Sequence, residues 1–302
     1  MPSPASGFSQ KILIWWIAAV ICWLPTGTGS ARELAADTTA KIDQMVVSEL
    51  SSMYGSISRI IGHVDLTKPF QTKTPWALVI GKEPDKEGTD QDPFGEPGAV
   101  SICFVNNESV DCSERMFADY MEQNISRGSG ERLFYELFNS AIVYSGPRKT
   151  QPLLMVRTCT MPGVNGNCGV STFLFDYDRN ADRFHNVFFN VTGRNNNEET
   201  RFIESGPLIG DLIAAYPTSN APFTYWVEIY KRNGSGRYER LLRYRGKTVY
   251  GDGNPLAVID SEMPEILRRL KLWAPGQDLP VPPRMPAGCA RLFMRKGVEW
   301  CE

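Results

Sequence analysis

The sequence is short of the residues and motifs that most catalytic and nucleic-acid-binding sites need. It contains only 2 histidines in 302 residues, no Cys-x-x-Cys pair and no Gly-x-Ser-x-Gly motif. These shortages leave few ways to build a zinc site or a Ser-His or Cys-His nucleophile. The 32 Lys and Arg residues against 34 Asp and Glu residues give a net charge of -2, whereas a general nucleic-acid binder carries a basic excess. We therefore expect no nucleic-acid partner.

Long apolar runs are also absent, apart from one near the N-terminus. Residues 12–24 are apolar without interruption, follow Lys11 and end at Pro25. The run is shorter than the ~20 apolar residues that span a bilayer, and it matches the core of a secretory signal peptide. Small residues after Pro25 predict cleavage after Ala31, with Ala36 as the alternative. The sequence therefore predicts a secreted or periplasmic protein with no transmembrane anchor after cleavage.

The seven cysteines are an odd number that this leader explains. Cys22 lies within residues 1–31 and would leave with them, so an even six would remain in an oxidising compartment. In the first remaining pair, a turn at residues 106–109 would set the two cysteines opposite each other in adjacent strands. Spacing thus predicts three local disulfide bonds, which are Cys103–Cys112, Cys159–Cys168 and Cys289–Cys301.

The hydrophobic pattern predicts an α+β fold, with helices early in the chain and strands later. Apolar residues spaced three and four apart predict a long helix over residues 39–61 and shorter helices that start near Ser113 and Ser129. Over residues 152–250 a period of two predicts a mostly antiparallel β-meander, closed by a helix over residues 261–273. We expect the N-terminal helices to pack on this antiparallel sheet.

The same pattern divides the chain into four segments. Residues 147–152 begin and end with proline, which predicts a boundary between two segments at this point. In order, the segments are the signal peptide (1–31), a helix-rich region with a stapled hairpin (32–148), the antiparallel meander with its closing helix (149–273), and a Pro-rich arm with a C-terminal disulfide hairpin (274–302).

The sharpest local pattern is a run of oxygen-bearing side chains at alternate positions. Its members are Asp176, Asp178, Asn180 and Asp182. Over seven residues this spacing resembles the first half of an EF-hand or dockerin-type calcium loop. The match is broken because Ala181 replaces the turn glycine, and Phe184 and Val187 occupy later ligand positions. The alternative is the polar tip of a β-hairpin, where Asp and Asn favour the turn. Calcium is the one cofactor that the sequence raises.

A second candidate site is the predicted strand over residues 225–230. Strand alternation sets Trp226, Glu228 and Tyr230 on one face. An aromatic face beside a carboxylate suits sugar binding, or glycoside hydrolysis together with a second acid such as Asp252. The alternative is a sheet face that a helix covers.

A third candidate is the basic segment of residues 231–247. It holds seven Lys and Arg residues against Glu239 alone, and tyrosines alternate with the charges. Arg243 and Arg245 are its predicted ligand contacts. Such a segment suits an anionic surface, an acidic glycan or an acidic protein partner. The alternative is an exposed edge strand that charge protects from aggregation.

Two functions from different classes follow from these patterns. The first is an exported, disulfide-stabilised binding or interaction protein. The second is a secreted, carboxylate-dependent glycan hydrolase or glycan-binding protein that uses Glu228 and Asp252. We favour the first because the predicted disulfides remove the cysteines as nucleophiles, and His63 and His185 are typical of structural or surface histidines.

Overall fold

The computed structural model describes most of the chain after residue 35. The described residues are 36–54, 59–85, 87–88, 98–112, 134, 136–146, 148, 150–162, 168–193, 198–218, 223–247, 249, 257–281, 284, 289, 292–295 and 298–301. This part of the chain is largely β, with antiparallel sheets and few helices. None of the helices it contains is both long and apolar enough to cross a bilayer.

Fourteen strands and three α-helices make up the described structure. The helices are α1 (Ala36–Tyr54), α2 (Thr67–Phe70) and α3 (Val258–Arg269). The strands are β1 (Arg59–Asp65), β2 (Trp76–Lys82), β3 (Val100–Asn106), β4 (Val110–Asp111), β5 (Glu136–Ser145), β6 (Gln151–Pro162), β7 (Cys168–Asp178), β8 (Arg183–Gly193), β9 (Glu199–Phe202), β10 (Leu212–Pro217), β11 (Tyr225–Arg232), β12 (Tyr238–Arg245), β13 (Leu292–Arg295) and β14 (Val298–Cys301).

These elements form a stack of five layers. Sheet I has the order β1-β2-β3-β4, sheet II has the order β5-β6-β7-β8, and sheet III has the order β12-β11-β10-β9. Apolar clusters join α1 to sheet I, sheet I to sheet II, sheet II to sheet III, and sheet III to α3. Strands β13 and β14 form a separate two-stranded ribbon. Sheet II is therefore covered on both faces.

Sheet II owes its central position to strands that are apolar on both faces. In β7, Phe173 and Phe175 pack towards sheet I, and Leu174 packs towards sheet III. The Phe175 ring lies 4.9 Å from the Phe104 ring of β3, measured between centroids. A strand with one polar face would leave that face in water, whereas these strands need a layer on each side.

Helix α1 confirms part of the long helix predicted over residues 39–61. Its Ile42, Val46 and Leu50 face sheet I. The prediction is wrong from residue 59 onwards, because Ile60 and Ile61 lie in β1, which pairs with β2. Isoleucines spaced this closely suit either element, and hydrogen bonding to β2 decides the outcome.

The helix predicted from Ser129 is also wrong over its second half. Leu137 and Phe138 lie in β5, which pairs with β6 along its whole length. The last two residues of the predicted seam, Gln151 and Pro152, belong to β6 and pair with β5. The helix predicted near Ser113 lies outside the described residues. The observed fold is therefore less helical than the α+β class predicted from the sequence.

The strands predicted after residue 152 agree well with the structure. Strands β6, β7, β8, β11 and β12 overlap closely with the segments predicted at 153–160, 170–176, 183–191, 224–230 and 238–245. Strand β9 shares only residues 201–202 with the segment predicted at 201–204. Strand β10 begins at Leu212, because Gly206–Leu208 forms a 3-10 turn. The closing helix begins at Val258 with Ala257 at its N-cap, three residues before the predicted start at Ser261.

The three predicted disulfide bonds have three different outcomes. Cys103 and Cys112 are bonded, and the predicted register is confirmed because Val105 pairs with Val110. The bond predicted between Cys159 and Cys168 is not confirmed, since the structure records no bond between these two residues. A register shift in the β6–β7 hairpin pairs Cys168 with Pro162 and Cys159 with Val170, although both cysteines are buried in one small cluster. Cys289 is disulfide-bonded. Its predicted partner is Cys301, whose side chain lies outside the described part of the structure.

Candidate functional site

The most unusual group in sheet III is the buried carboxylate of Glu228. Glu228 lies on β11, an inner strand, and is 4% exposed. Its face of the sheet is opposite to the one that α3 covers, because Val227 and Ile229 on either side of it pack against the helix. A buried charge requires hydrogen-bonded partners of opposite sign or strong donors. The groups that supply them define the site.

Four donors surround the Glu228 carboxylate. The Tyr216 hydroxyl donates to Oε1 at 3.0 Å, and the Tyr230 hydroxyl donates to Oε2. Arg240 donates from Nη1 at 2.9 Å, and Arg243 Nε lies 3.2 Å from Oε1. The register explains the grouping, since Arg243 lies directly opposite Glu228 across the β11–β12 pair.

Each of the two arginines contacts Glu228 and is otherwise partly exposed to solvent. Their side chains are 50% exposed for Arg240 and 41% exposed for Arg243. The Arg243 guanidinium also lies over the Trp226 ring, 4.3 Å from its centroid, in a cation–π contact. Both guanidiniums are thus oriented by buried groups while they remain accessible. We call Tyr216, Trp226, Glu228, Tyr230, Arg240 and Arg243 the arginine cluster.

The tyrosines of the cluster act as permanent donors. Burial, followed by the hydrogen bond to Glu228, raises the pKa of Tyr230 far above its ordinary value. Burial and the nearby Glu228 charge raise the pKa of Tyr216 as well. Both hydroxyls therefore keep their protons at physiological pH and continue to stabilise the carboxylate.

The structure brings together most of the predicted sugar-binding and basic residues. Trp226, Tyr230 and Arg243 all belong to the arginine cluster. Arg245 lies at the end of β12, where its Nε donates to the Thr224 hydroxyl at 3.0 Å. Asp252, the second acid predicted for hydrolysis, lies outside the described residues.

The sequence did not predict Tyr216 as a site residue. It placed Arg240 in the basic segment without predicting it as a ligand contact. Tyr216 lies on β10 and pairs with Trp226 across the sheet. No local pattern marks it, because its role depends on which strand pairs with β11. Arg240 is brought next to Tyr230 by a register shift between β11 and β12. The excess of basic residues in 231–247 was the signal that pointed to it.

Both alternatives weighed for the basic segment have a counterpart in the structure. Within the described sheet, β12 is an edge strand, and most of its side chains are exposed. Charged residues on an edge discourage pairing with another chain. Two of these charges nevertheless converge on a buried acid, which edge protection does not require.

The candidate calcium residues occupy the β7–β8 hairpin, where their three carboxylates serve separate structural contacts. Asp176 pairs with Arg232 of β11. Asp178 accepts the backbone N–H groups of Asn180 and Ala181, which closes the turn and lowers the pKa of the Asp178 carboxyl. Among the residues that the structure describes, no group of three or more metal-ligating side chains converges.

Asp182 connects this hairpin to the start of sheet I. Its carboxylate accepts hydrogen bonds from the Thr74 hydroxyl at 2.8 Å, the Trp76 indole at 3.1 Å and the Tyr177 hydroxyl at 2.5 Å. These three donors lower the pKa of the Asp182 carboxyl. Asp182 therefore holds two layers together in the arrangement observed.

The two histidines lie apart from the arginine cluster. His63 on β1 is hydrogen-bonded through Nε2 to Asp43 of α1 at 2.6 Å. His185 lies on β8, opposite Asp176. Neither histidine has a hydroxyl or thiol nucleophile among its described hydrogen-bond partners.

Comparison with known proteins adds no assignment. No protein-family model matches the chain, and neither the curated proteins nor the solved structures contain a significant match. The functional argument therefore depends on the site itself.

Proposed function

We propose that the chain is an exported, disulfide-stabilised binding protein that recognises an acidic polysaccharide on the arginine cluster. One observation carries the proposal. The buried Glu228 orients Arg240 and Arg243, whose side chains remain 50% and 41% exposed. Guanidiniums held in a fixed orientation lose less conformational freedom when they bind a carboxylate or sulfate group.

Export is supported by two features of the chain. Residues 12–24 have the length and flanks of a signal-peptide core, and Cys103 is bonded to Cys112. Disulfide bonds persist mainly in oxidising compartments. An acidic polysaccharide is a polyanion that an exported protein meets outside the cytoplasm.

The linear layout of the charges favours a polymer over a compact anion. Arg240 and Arg243 follow one another along β12. At ~3.3 Å per residue they lie about 10 Å apart, the scale of two sugar units in an extended chain. The partly exposed Trp226 ring adds flat apolar surface beside the charges, which suits sugar rings.

The hydrolase alternative receives less support from this geometry. A glycosidase needs one carboxyl group that donates a proton and a second that faces it across a cleft. Both oxygens of Glu228 already accept hydrogen bonds from tyrosine or arginine. Glu228 therefore serves the arginines better than it would serve a substrate.

Retention on a sulfated-polysaccharide resin tests the proposal. The mature chain is compared with the R240A/R243A variant, and the R179A/R183A variant is the charge-matched control. Arg179 and Arg183 are exposed and lie on the β7–β8 hairpin, away from the arginine cluster.

We expect the cluster variant to bind at least tenfold more weakly, and the control to bind within twofold of the wild type. The salt dependence of the cluster variant should decrease by about two released counterions. Equal losses in the two variants would show that binding depends on net charge and not on the position of the arginines, and would overturn the proposal. Retention on anionic lipid vesicles with none on the resin would assign the surface to a membrane instead.

A further inference from the structure

A separate cleft lies on the other face of sheet III, between β12 and α3. Its volume is about 510 Å³, within the range of ~300–1,000 Å³ that is usual for small-molecule sites. Its walls combine cations, carboxylates and aromatic rings. The residues that carry the argument below are Tyr244, Arg245, Lys247, Glu262, Glu265 and Trp273.

Most of the charges in the cleft are already paired. Glu265 binds Arg268 and Arg269, which are three and four residues further along α3. These pairs lower the pKa of the Glu265 carboxyl. The buried Glu262 accepts a hydrogen bond from the Tyr244 hydroxyl at 3.0 Å. The cleft therefore contains carboxylates that are fixed in place.

Arg245 and Lys247 are the exception to this pairing. Both are exposed, and within the described part of the chain neither lies within ion-pair distance of an acid. Arg245 is fixed instead by its hydrogen bond to the Thr224 hydroxyl at 3.0 Å. The mouth of the cleft thus presents two cations that an anionic ligand would neutralise.

Trp273 supplies an apolar surface within the same cleft. Its ring is partly buried against the cluster that joins sheet III to α3, and its Nε1 donates to the Gln277 carbonyl oxygen at 3.0 Å. That hydrogen bond fixes the orientation of the indole. An immobilised aromatic ring gives the apolar face of a ligand a contact at little entropic cost.

We infer that this cleft binds one sugar unit that carries an anionic group. The sugar ring lies against Trp273, and its carboxylate or sulfate lies between Arg245 and Lys247. Glu262 and Glu265 are already bound by groups of the chain itself, so Arg245 and Lys247 keep their charges for the anionic group. The inference rests on the proposed function, since the unit belongs to the same acidic polysaccharide, and it adds a recognition subsite on the far side of β12.

The test measures binding of three disaccharides to the mature chain by calorimetry. One contains a hexuronic acid, one carries a sulfate ester, and one is neutral. The first two probes distinguish the carboxylate from the sulfate. The variants are R245Q/K247Q, which keeps most side-chain volume, and W273L. The control is K271Q, a change at an exposed lysine that does not line the cleft.

We expect at least one charged disaccharide to bind tenfold or more tightly than the neutral one. R245Q/K247Q should remove that preference, whereas K271Q should bind within twofold of the wild type. W273L should weaken binding of the charged disaccharide at least fivefold. Because Trp273 also packs on the core, the thermal melt of the W273L variant is measured alongside its binding. If W273L unfolds, the result for R245Q/K247Q decides whether the cleft inference holds.

The two proposals fail in different ways. If the mature chain is retained on the polysaccharide resin but shows no preference for a charged disaccharide, the cleft inference is overturned and the proposed function stands. If a charged disaccharide binds but the resin does not retain the chain, the polysaccharide function fails. A charged-sugar preference that R245Q/K247Q leaves intact also overturns the cleft inference.

Discussion

The two ends of the layered stack are stabilised by different chemistry. At the α1 end, apolar residues of the helix meet apolar residues of sheet I around the Cys103–Cys112 bond. At the α3 end, an apolar cluster is combined with buried ions. Of the five buried carboxylates in the described residues, four lie in sheet III, its connections or α3, namely Asp211, Glu228, Asp260 and Glu262. The end that bears the candidate sites is thus the one that buries charge.

A buried ionic network holds sheet III to α3. Arg201 of β9 binds Glu199 on its own strand and Asp260 of α3, with Arg201 Nη2 2.8 Å from Asp260 Oδ2. The side chains of Arg201 and Asp260 are only 10% and 6% exposed. The backbone N–H of Arg284 also donates to Asp260, which ties the Pro-rich arm to this helix. Such networks fix one arrangement of the layers, whereas apolar contacts tolerate several.

The largest expected effect is on the apolar side of this comparison. Phe104 is 1% exposed and lies within 5.3 Å of the Phe184 ring between centroids. We expect Phe104→Ala to lower the free energy of unfolding by about 3–5 kcal/mol, because a cavity would open between sheets I and II. Urea denaturation measures the change. Phe104→Leu, which fills most of that cavity, should cost much less, and equal losses in the two variants would contradict the explanation.

The second-largest expected effect comes from a substitution in the buried ionic network at the α3 end. Asp260→Asn leaves the buried Arg201 with one acid, and we expect a loss of about 3 kcal/mol. Glu265→Gln on the same helix is the matched control, since its ion pairs with Arg268 and Arg269 are partly exposed and should contribute below ~1 kcal/mol. The comparison is made by denaturant titration of both variants. A smaller loss for Asp260→Asn than for Glu265→Gln would show that burial does not determine the contribution.

The disulfide bond should contribute somewhat less than either change. It closes a short loop, with a sequence separation of 9 residues. We expect the C103S/C112S variant to be less stable by about 2–3 kcal/mol, mainly because the unfolded chain gains freedom. Thermal melting of the wild type with and without a reducing agent provides the internal control. Reduction should lower the melting temperature at least as far as the variant does, because the bond of Cys289 is reduced as well. A reduced wild type that melts like the oxidised one would rule out this contribution.

The smallest effect is a pH dependence from the buried acids near sheet III. Burial raises the pKa of Asp211 from 3.8 to about 6, although nearby Lys231 opposes the shift. Between these values the folded chain holds a proton that the unfolded chain releases, so stability falls as the pH rises through this window. We expect Asp211→Asn to stabilise the protein by about 1 kcal/mol at pH 7.5 and to have little effect at pH 4.

Melting temperatures of the wild type and Asp211→Asn between pH 4 and 8 measure this difference. Asp178→Asn is a suitable contrast, because hydrogen bonds from the turn lower the pKa of the Asp178 carboxyl. Its substitution should therefore have the opposite sign at neutral pH. Parallel curves for wild type and Asp211→Asn would mean that Asp211 does not titrate in the window.

Strand alternation predicted the candidate site better than any motif did. The pattern of residues 225–230 set Trp226, Glu228 and Tyr230 on one face, and all three meet there in the arginine cluster. The same reasoning had no access to Tyr216, whose place depends on the pairing of β10 with β11. Equal cysteine spacings were likewise insufficient. Cys103–Cys112 formed where the hairpin register is regular, whereas the register between Cys159 and Cys168 is shifted and sets Cys159 opposite Val170.

The sequence by itself determined the local features of this protein. These are the positions of most strands after residue 152, the register of the first hairpin, and the excess of positive charge on β12. Each depends on neighbours within about ten residues, so local pattern is enough to predict it. Only the tertiary structure decided that Ile60 and Leu137 lie in strands and that sheet II is covered on both faces. It also placed Arg240 and Arg243 around a buried carboxylate. These outcomes depend on hydrogen bonds and burial between distant segments, and no local pattern contains that information.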